Sequence, residues 1–166
     1  MNKSKRDIKT EFLDSLDRHQ GILQKICFIY SRNRLEKEDL CQEIIFQLWK
    51  SYPSFKQKSS FSTWMYRVAL NTALSLTRRP QLFTNTEEIP DHSFDMEHAM
   101  DKSESVLILY RAISQLSKVE KAIILLWLED KPYEEIADNL GLSVKNTSVR
   151  LVRIKGKLKN LIKKYE

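Results

Sequence analysis

The side chains with chemistry to offer in this 166-residue chain are cations, amides and aromatic rings, gathered in two blocks. The first, FSTWMYRVALNTALSLTRRP, interleaves Phe61, Trp64 and Tyr66 with Arg67, Asn71, Arg78 and Arg79, and Lys56 and Lys58 stand just upstream. Aromatic faces stack on unpaired bases while Lys and Arg follow phosphates, which is the chemistry of single-stranded nucleic-acid binding. On composition alone the stronger reading is that these rings are core, as aromatics in small helical domains usually are. The second block runs from Lys145 to Lys164 and holds eight basic residues and no acidic one. On a helix entering a major groove, Lys145, Asn146, Ser148 and Val149 are placed for base edges, and Arg150, Arg153, Lys155 and Lys157 for phosphates. A solvated basic helix on a small bundle is the plainer alternative.

No catalytic or metal-binding constellation accompanies these blocks, and no cofactor is expected. His19 stands alone on a helix; His92 and His98 have only acidic company, with Asp91 and Asp95 nearby. Cys27 and Cys41 form no CxxC pair and read as small core residues with reduced thiols, as in a cytoplasmic protein. The three glycines, Gly21, Gly141 and Gly156, stand too far apart for a phosphate-cradling loop. No apolar run approaches the ~18–20 residues that span a bilayer, and MNKSKRDIKTEF does not read as a signal peptide.

The elements that must position the two blocks are helices. Phe12, Leu16, Leu23, Ile26, Ile29 and Tyr30 give a first helix its apolar face. Glu36-Lys-Glu-Asp opens a second, with Leu40, Ile44, Ile45, Leu48 and Trp49 inward and Asp39, Gln42, Glu43 and Gln47 opposite. Pro53 closes it, SFKQKSS is a loop, and Ser62 or Thr63 is the cap of a third helix. Val106, Leu109, Ile113 and Leu116 recur at helical spacing, and Lys131-Pro132 ends the apolar run from Val119 to Leu128. A short helix with Ile136, Ala137 and Leu140 inward follows; Gly141 turns the chain and Ser143 caps a last helix with Leu151, Ile154, Leu158, Leu161 and Tyr165 buried. A small residue followed four positions later by glycine is what the crossing of a helix-turn-helix requires.

Charge divides the chain more sharply than its total of +6 suggests. Residues 1–80 carry a net +7, residues 81–104 a net −6, and residues 105–166 a net +5. The predicted plan is all-α: two small helical domains, 1–80 and 105–166, joined by a flexible acidic linker over 81–104.

Three segments in this order, EDLCQEIIFQLWKSYPSF, FSTWMYRVALNTALSLTRR and LSKVEKAIILLWLEDKPYEEIADNLGLS, resemble the extracytoplasmic-function (ECF) subfamily of bacterial RNA polymerase sigma factors. The resemblance implies a promoter-specificity subunit without catalysis of its own, working in the cytoplasm. It implies that Asp39, Gln42, Glu43, Phe46 and Gln47 dock on the β′ clamp helices of core RNA polymerase. Lys56, Lys58, Phe61, Trp64, Arg67, Asn71, Arg78 and Arg79 would open and read the minus-ten promoter element. Ser143, Lys145, Asn146, Ser148, Val149, Arg150, Arg153, Lys155 and Lys157 would serve the minus-thirty-five element. The β flap of the polymerase and an anti-sigma factor are further partners it implies; a membrane is not. The chain departs from the family pattern at Asn146-Thr147-Ser148-Val149-Arg150, where Thr147 occupies a position usually apolar. The competing reading is a stand-alone helix-turn-helix regulator with an N-terminal sensing domain, which leaves the first two segments unexplained.

Overall fold

A computed structural model describes residues 3–76 and 103–166. Arg78, Arg79 and the acidic segment, apart from its last two residues, lie outside the described residues. Among those described there are eight α-helices, one 3-10 turn and no strand.

The first half holds α1 (Lys5–Arg18), α2 (Gln20–Tyr30), α3 (Arg34–Ser51) and α4 (Phe61–Leu76). Ser4 starts α1 through a reciprocal capping box with Asp7. The single first helix expected from the apolar period is two. The chain breaks at His19 (φ −115°, ψ 22°), whose Nδ1 lies 2.6 Å from the Ser15 carbonyl oxygen, with helix-weakening Gly21 two residues on. The start of α3 lies earlier than Glu36, because Asn33 Oδ1 accepts from the Glu36 N–H at 2.9 Å. Leu40, Ile44 and Leu48 are its buried row, whereas Trp49, expected inside, is 41% exposed. The cap of α4 is Ser60 rather than Ser62 or Thr63; its Oγ accepts from the Thr63 N–H at 3.2 Å. Pro53 falls in the 3-10 turn Tyr52–Ser54.

The second half holds α5 (Glu104–Ser114), α6 (Lys118–Leu128), α7 (Tyr133–Leu140) and α8 (Val144–Lys163). A Ser117–Glu120 capping box opens α6. Ile136 and Ala137 of α7 pack against the buried row Thr147, Leu151, Ile154 and Leu158 of α8. Thr147 is fully buried yet satisfied, its Oγ1 donating to the Ser143 carbonyl oxygen at 3.0 Å, so the departure from an apolar residue leaves the packing intact. Tyr165, placed in the buried stripe by spacing, lies past the end of α8 and is 37% exposed.

Gly141 carries the helix-turn-helix turn at φ 67°, and the Leu142 N–H closes it on the Ala137 carbonyl at 2.9 Å. A Cβ there would meet nothing within 4 Å, so the demand for glycine is torsional alone. Gly141→Ala is therefore expected to lower stability by about 1–2 kcal/mol, read as a fall in the urea midpoint at unchanged m-value.

The halves share one apolar core: Tyr30 of α2 and Tyr110 and Ile113 of α5 belong to the same buried cluster. Polar contacts fasten the seam. Tyr30 Oη donates to the Lys118 carbonyl at 2.9 Å, Lys25 Nζ pairs with Glu129 at 2.8 Å, and Lys131 Nζ donates to Thr63 Oγ1 at 2.9 Å. Burial holds the Tyr30 phenol well above its ordinary pKa.

Candidate nucleic-acid interface

The last helix presents three kinds of surface. Its buried row is on the side that packs against α5, α6 and α7. Away from that row stand Lys145, Val149, Val152, Arg153 and Gly156, all exposed. Ser143 caps the helix, its Oγ accepting from the Asn146 N–H at 3.0 Å, while the exposed Asn146 takes the Arg150 Nε–H on its Oδ1 at 3.1 Å. Ser148 is half-buried. Lys155 and Lys157, expected on phosphates beside the arginines, lean back onto the protein. Lys155 Nζ sits 4.1 Å from the centre of the Trp127 ring, and Lys157 Nζ pairs with Glu120 at 2.5 Å. Burial pushes the Glu120 carboxyl up, but Lys157 and the Ser117 cap together hold it below its ordinary pKa. Val152 carries no charge to mark it in the sequence; at 69% exposed, on the far side from Leu151 and Ile154, it is the most open valine on this helix.

The first block resolves into a loop and a helix face. Lys56 and Lys58 flank Gln57, whose φ of 56° is a conformation L-residues rarely adopt. Phe55 and the Ser60 cap anchor its ends. Phe61 and Trp64 are half-buried members of a ring cluster: Phe55 lies 4.9 Å from Trp64 and 5.9 Å from Phe61, and Phe61 lies 5.4 Å from Trp64 and 5.0 Å from His19. Arg67 and Asn71, four residues apart, are exposed on α4.

Along α3, Leu35, Asp39, Gln42, Phe46 and Trp49 form an outward row at spacings of four and three, with Leu35 69% and Phe46 55% exposed. Leu35 and Trp49 were missed as surface residues; two apolar rows on one helix cannot be told apart by periodicity alone. Glu43 and Gln47, bonded to each other at 2.9 Å, instead line a cleft of about 430 Å³ with Ser51, Asn71, Thr72 and Ser75. Glu43 and Gln47, expected on polymerase, and Asn71, expected on the minus-ten strand, thus meet in one hollow.

A second, apolar groove of about 450 Å³ runs between Leu109, Ile124, Trp127, Leu128, Leu158 and Ile162, rimmed by lysines of α8. No helix among the described residues is long and apolar enough to cross a membrane.

Comparison with known proteins matches these two halves separately. Residues 16–82 match the family model described as Sigma-70 region 2, and residues 107–158 match Sigma-70, region 4. The ECF RNA polymerase sigma-E factor of Haemophilus influenzae is 34% identical over 146 residues, covering 80% of this chain and 76% of that protein. The ECF RNA polymerase sigma factor SigX of Bacillus subtilis is 25% identical over 158 residues, covering 87% and 81%. Among solved structures, the sigma factor RpoE in complex with the anti-sigma factor NepR from Bartonella quintana shares the fold with a TM-score of 0.64. It is 23% identical, and the match covers 95% of this chain and 98% of that chain.

Proposed function

From the premise that the chain belongs to the sigma-70 family, as an ECF-type RNA polymerase sigma factor, we propose that its surfaces divide as follows. The outward row of α3 docks on the β′ clamp helices of the polymerase. The Lys56–Ser60 loop and the Arg67–Asn71 face of α4 engage the opened minus-ten strand, with Arg78 and Arg79 adding charge beyond. The outer face of α8 reads the minus-thirty-five duplex, and the lysine-rimmed apolar groove takes the β flap. The segment 81–104 tethers domains 1–80 and 105–166.

What carries this reading is the outer side of α8, where Lys145, Val149, Val152 and Arg153 are left exposed at the N-terminal turns of a second helix-turn-helix helix. Sigma factors as a class are not enzymes; this chain supplies specificity to one, in the cytoplasm where the polymerase works. Since a structural neighbour was solved bound to an anti-sigma factor, an anti-sigma factor is proposed as a partner here.

Adding the chain to core RNA polymerase on genomic fragments is expected to produce initiation at specific start sites. Tight duplex binding by the chain alone, as a dimer and with no gain in initiation, would favour the stand-alone regulator. For the docking row, Asp39→Ala combined with Phe46→Ala is expected to weaken polymerase association at least about tenfold by competition binding, since exposed aromatic anchors carry much of an interface. An unchanged affinity refutes the assignment. Both positions are exposed, so the helical signal in circular dichroism should be retained.

A further inference from the structure

The polar residues of α8 account for the proposed contact with DNA, but they do not explain its valines. Val149 is 43% and Val152 69% exposed, on a helix that carries no acid and presents cations on both flanks. β-branched residues are poor helix formers, so an exposed valine there is disfavoured twice, by propensity and by hydration. Lys145, Val149, Val152 and Gly156 recur at four, three and four residues, which sets them in one row on the outer face. Gly156 adds an independent sign. A mid-helix glycine costs about 1 kcal/mol relative to alanine, and a Cβ there would meet nothing within 4 Å, so internal packing does not call for it. A bare backbone at that point lets the helix sit close against something outside the chain.

The occupant is identified by charge and by shape. A row of methyl groups flanked by Lys145, Arg150 and Arg153 suits a groove whose walls are phosphate and whose floor offers apolar contact. In the major groove the one apolar group on a base edge is the thymine C5-methyl. We propose that Val149 and Val152 are specificity-determining residues that read thymine methyl groups in the minus-thirty-five element. This rests on the assignment of α8 to that element and goes beyond it by naming what is read.

The test uses the polymerase bound to this chain and a duplex selected by that complex from a pool randomised at the minus-thirty-five element. Each thymine is replaced in turn by uracil, which removes the methyl and keeps the O4 acceptor and the base pair. One or two positions are expected to lose about fourfold in affinity, the scale of one buried methyl. In Val149→Ala or Val152→Ala the uracil penalty at the matching position should fall to near unity. Alanine is the better helix former, so a weaker complex cannot be traced to a lost helix. Uracil tolerated at every position, a penalty equal in parent and both variants, or a selected element without thymine on either strand would each overturn the proposal. Failure of the underlying assignment looks different: the pool would then yield no preferred minus-thirty-five sequence at all.

Discussion

Replacing Lys121 by methionine is expected to raise the free energy of unfolding at pH 7 by about 2–3 kcal/mol, measured by urea titration. Lys121 of α6 lies in the seam between the halves, with its ammonium 5.1 Å from the centre of the Tyr30 ring of α2. Burial first, then the Lys118 and Arg32 cations, pull its pKa down to about 8 from 10.5, against a smaller opposing pull from Glu36. A gap of that size means the charged form is about 3 kcal/mol less favourable in the folded chain than in the unfolded one. Methionine keeps the length and apolar stem and suits the face or edge of an aromatic ring. Loss of the cation–π contact offsets about 0.5–1 kcal/mol of the gain.

The sign of the pH dependence provides the control. Below pH 8 Lys121 is charged in both states and the penalty is complete. Between pH 8 and 10.5 the folded chain sheds a proton that the unfolded chain keeps, so stability rises with pH. Above about pH 10 the buried Tyr30 and Tyr66 act in the opposite direction. Burial keeps their phenols protonated in the fold while unfolded tyrosine ionises near pH 10. Lys118, whose pKa burial and the Arg32 cation also lower, adds a rise of the same sign in both proteins. The parent should therefore gain more stability from pH 8 to 10 than Lys121→Met. Equal slopes would exclude Lys121 as the titrating group.

Arg150→Ala combined with Arg153→Ala is expected to lower the affinity of the polymerase complex for promoter duplex about a hundredfold and to reduce the slope of log affinity against log salt by about 2. Arg153 is exposed on the outer side of α8, and Arg150 is positioned by Asn146 on the adjoining flank. Lys155 and Lys157 give the contrast. Their ammonium groups already engage Trp127 and Glu120, so Lys157→Ala should leave the salt slope nearly unchanged and cost no more than about 1 kcal/mol of stability. If all four cations shift the slope alike, the orientation of Lys155 and Lys157 toward the protein does not persist on DNA.

These cases mark where the sequence was legible. Ala137, Gly141 and Ser143 announce a turn and a cap through backbone chemistry that acts within a few residues, and the structure has them as read. Charge on α8 was equally plain, but the direction in which each cation leans depends on Trp127 and Glu120, which come from another helix. The break at His19 was hidden because the apolar period continues through it from Leu16 to Leu23. Trp49 is outside because α3 carries two apolar rows, and only packing against α2 and α4 decides which one is buried. The seam was out of reach altogether: Lys25 and Glu129 stand 104 residues apart and look like ordinary surface charges.

That seam sets a length problem. Elements centred at minus ten and minus thirty-five lie 25 base pairs apart, or about 85 Å along the duplex at 3.4 Å per pair. A folded chain of this size is about 40 Å across. If the halves engage these two elements as proposed, then while Tyr30, Lys25 and Lys131 hold them together one molecule does not span both. Reading a whole promoter then requires the Tyr30–Lys118 and Lys25–Glu129 contacts to part, and apparent promoter affinity is the intrinsic affinity multiplied by the fraction of molecules already parted. Any ligand that bridges α2 and α6 lowers that fraction without touching a single DNA-reading residue.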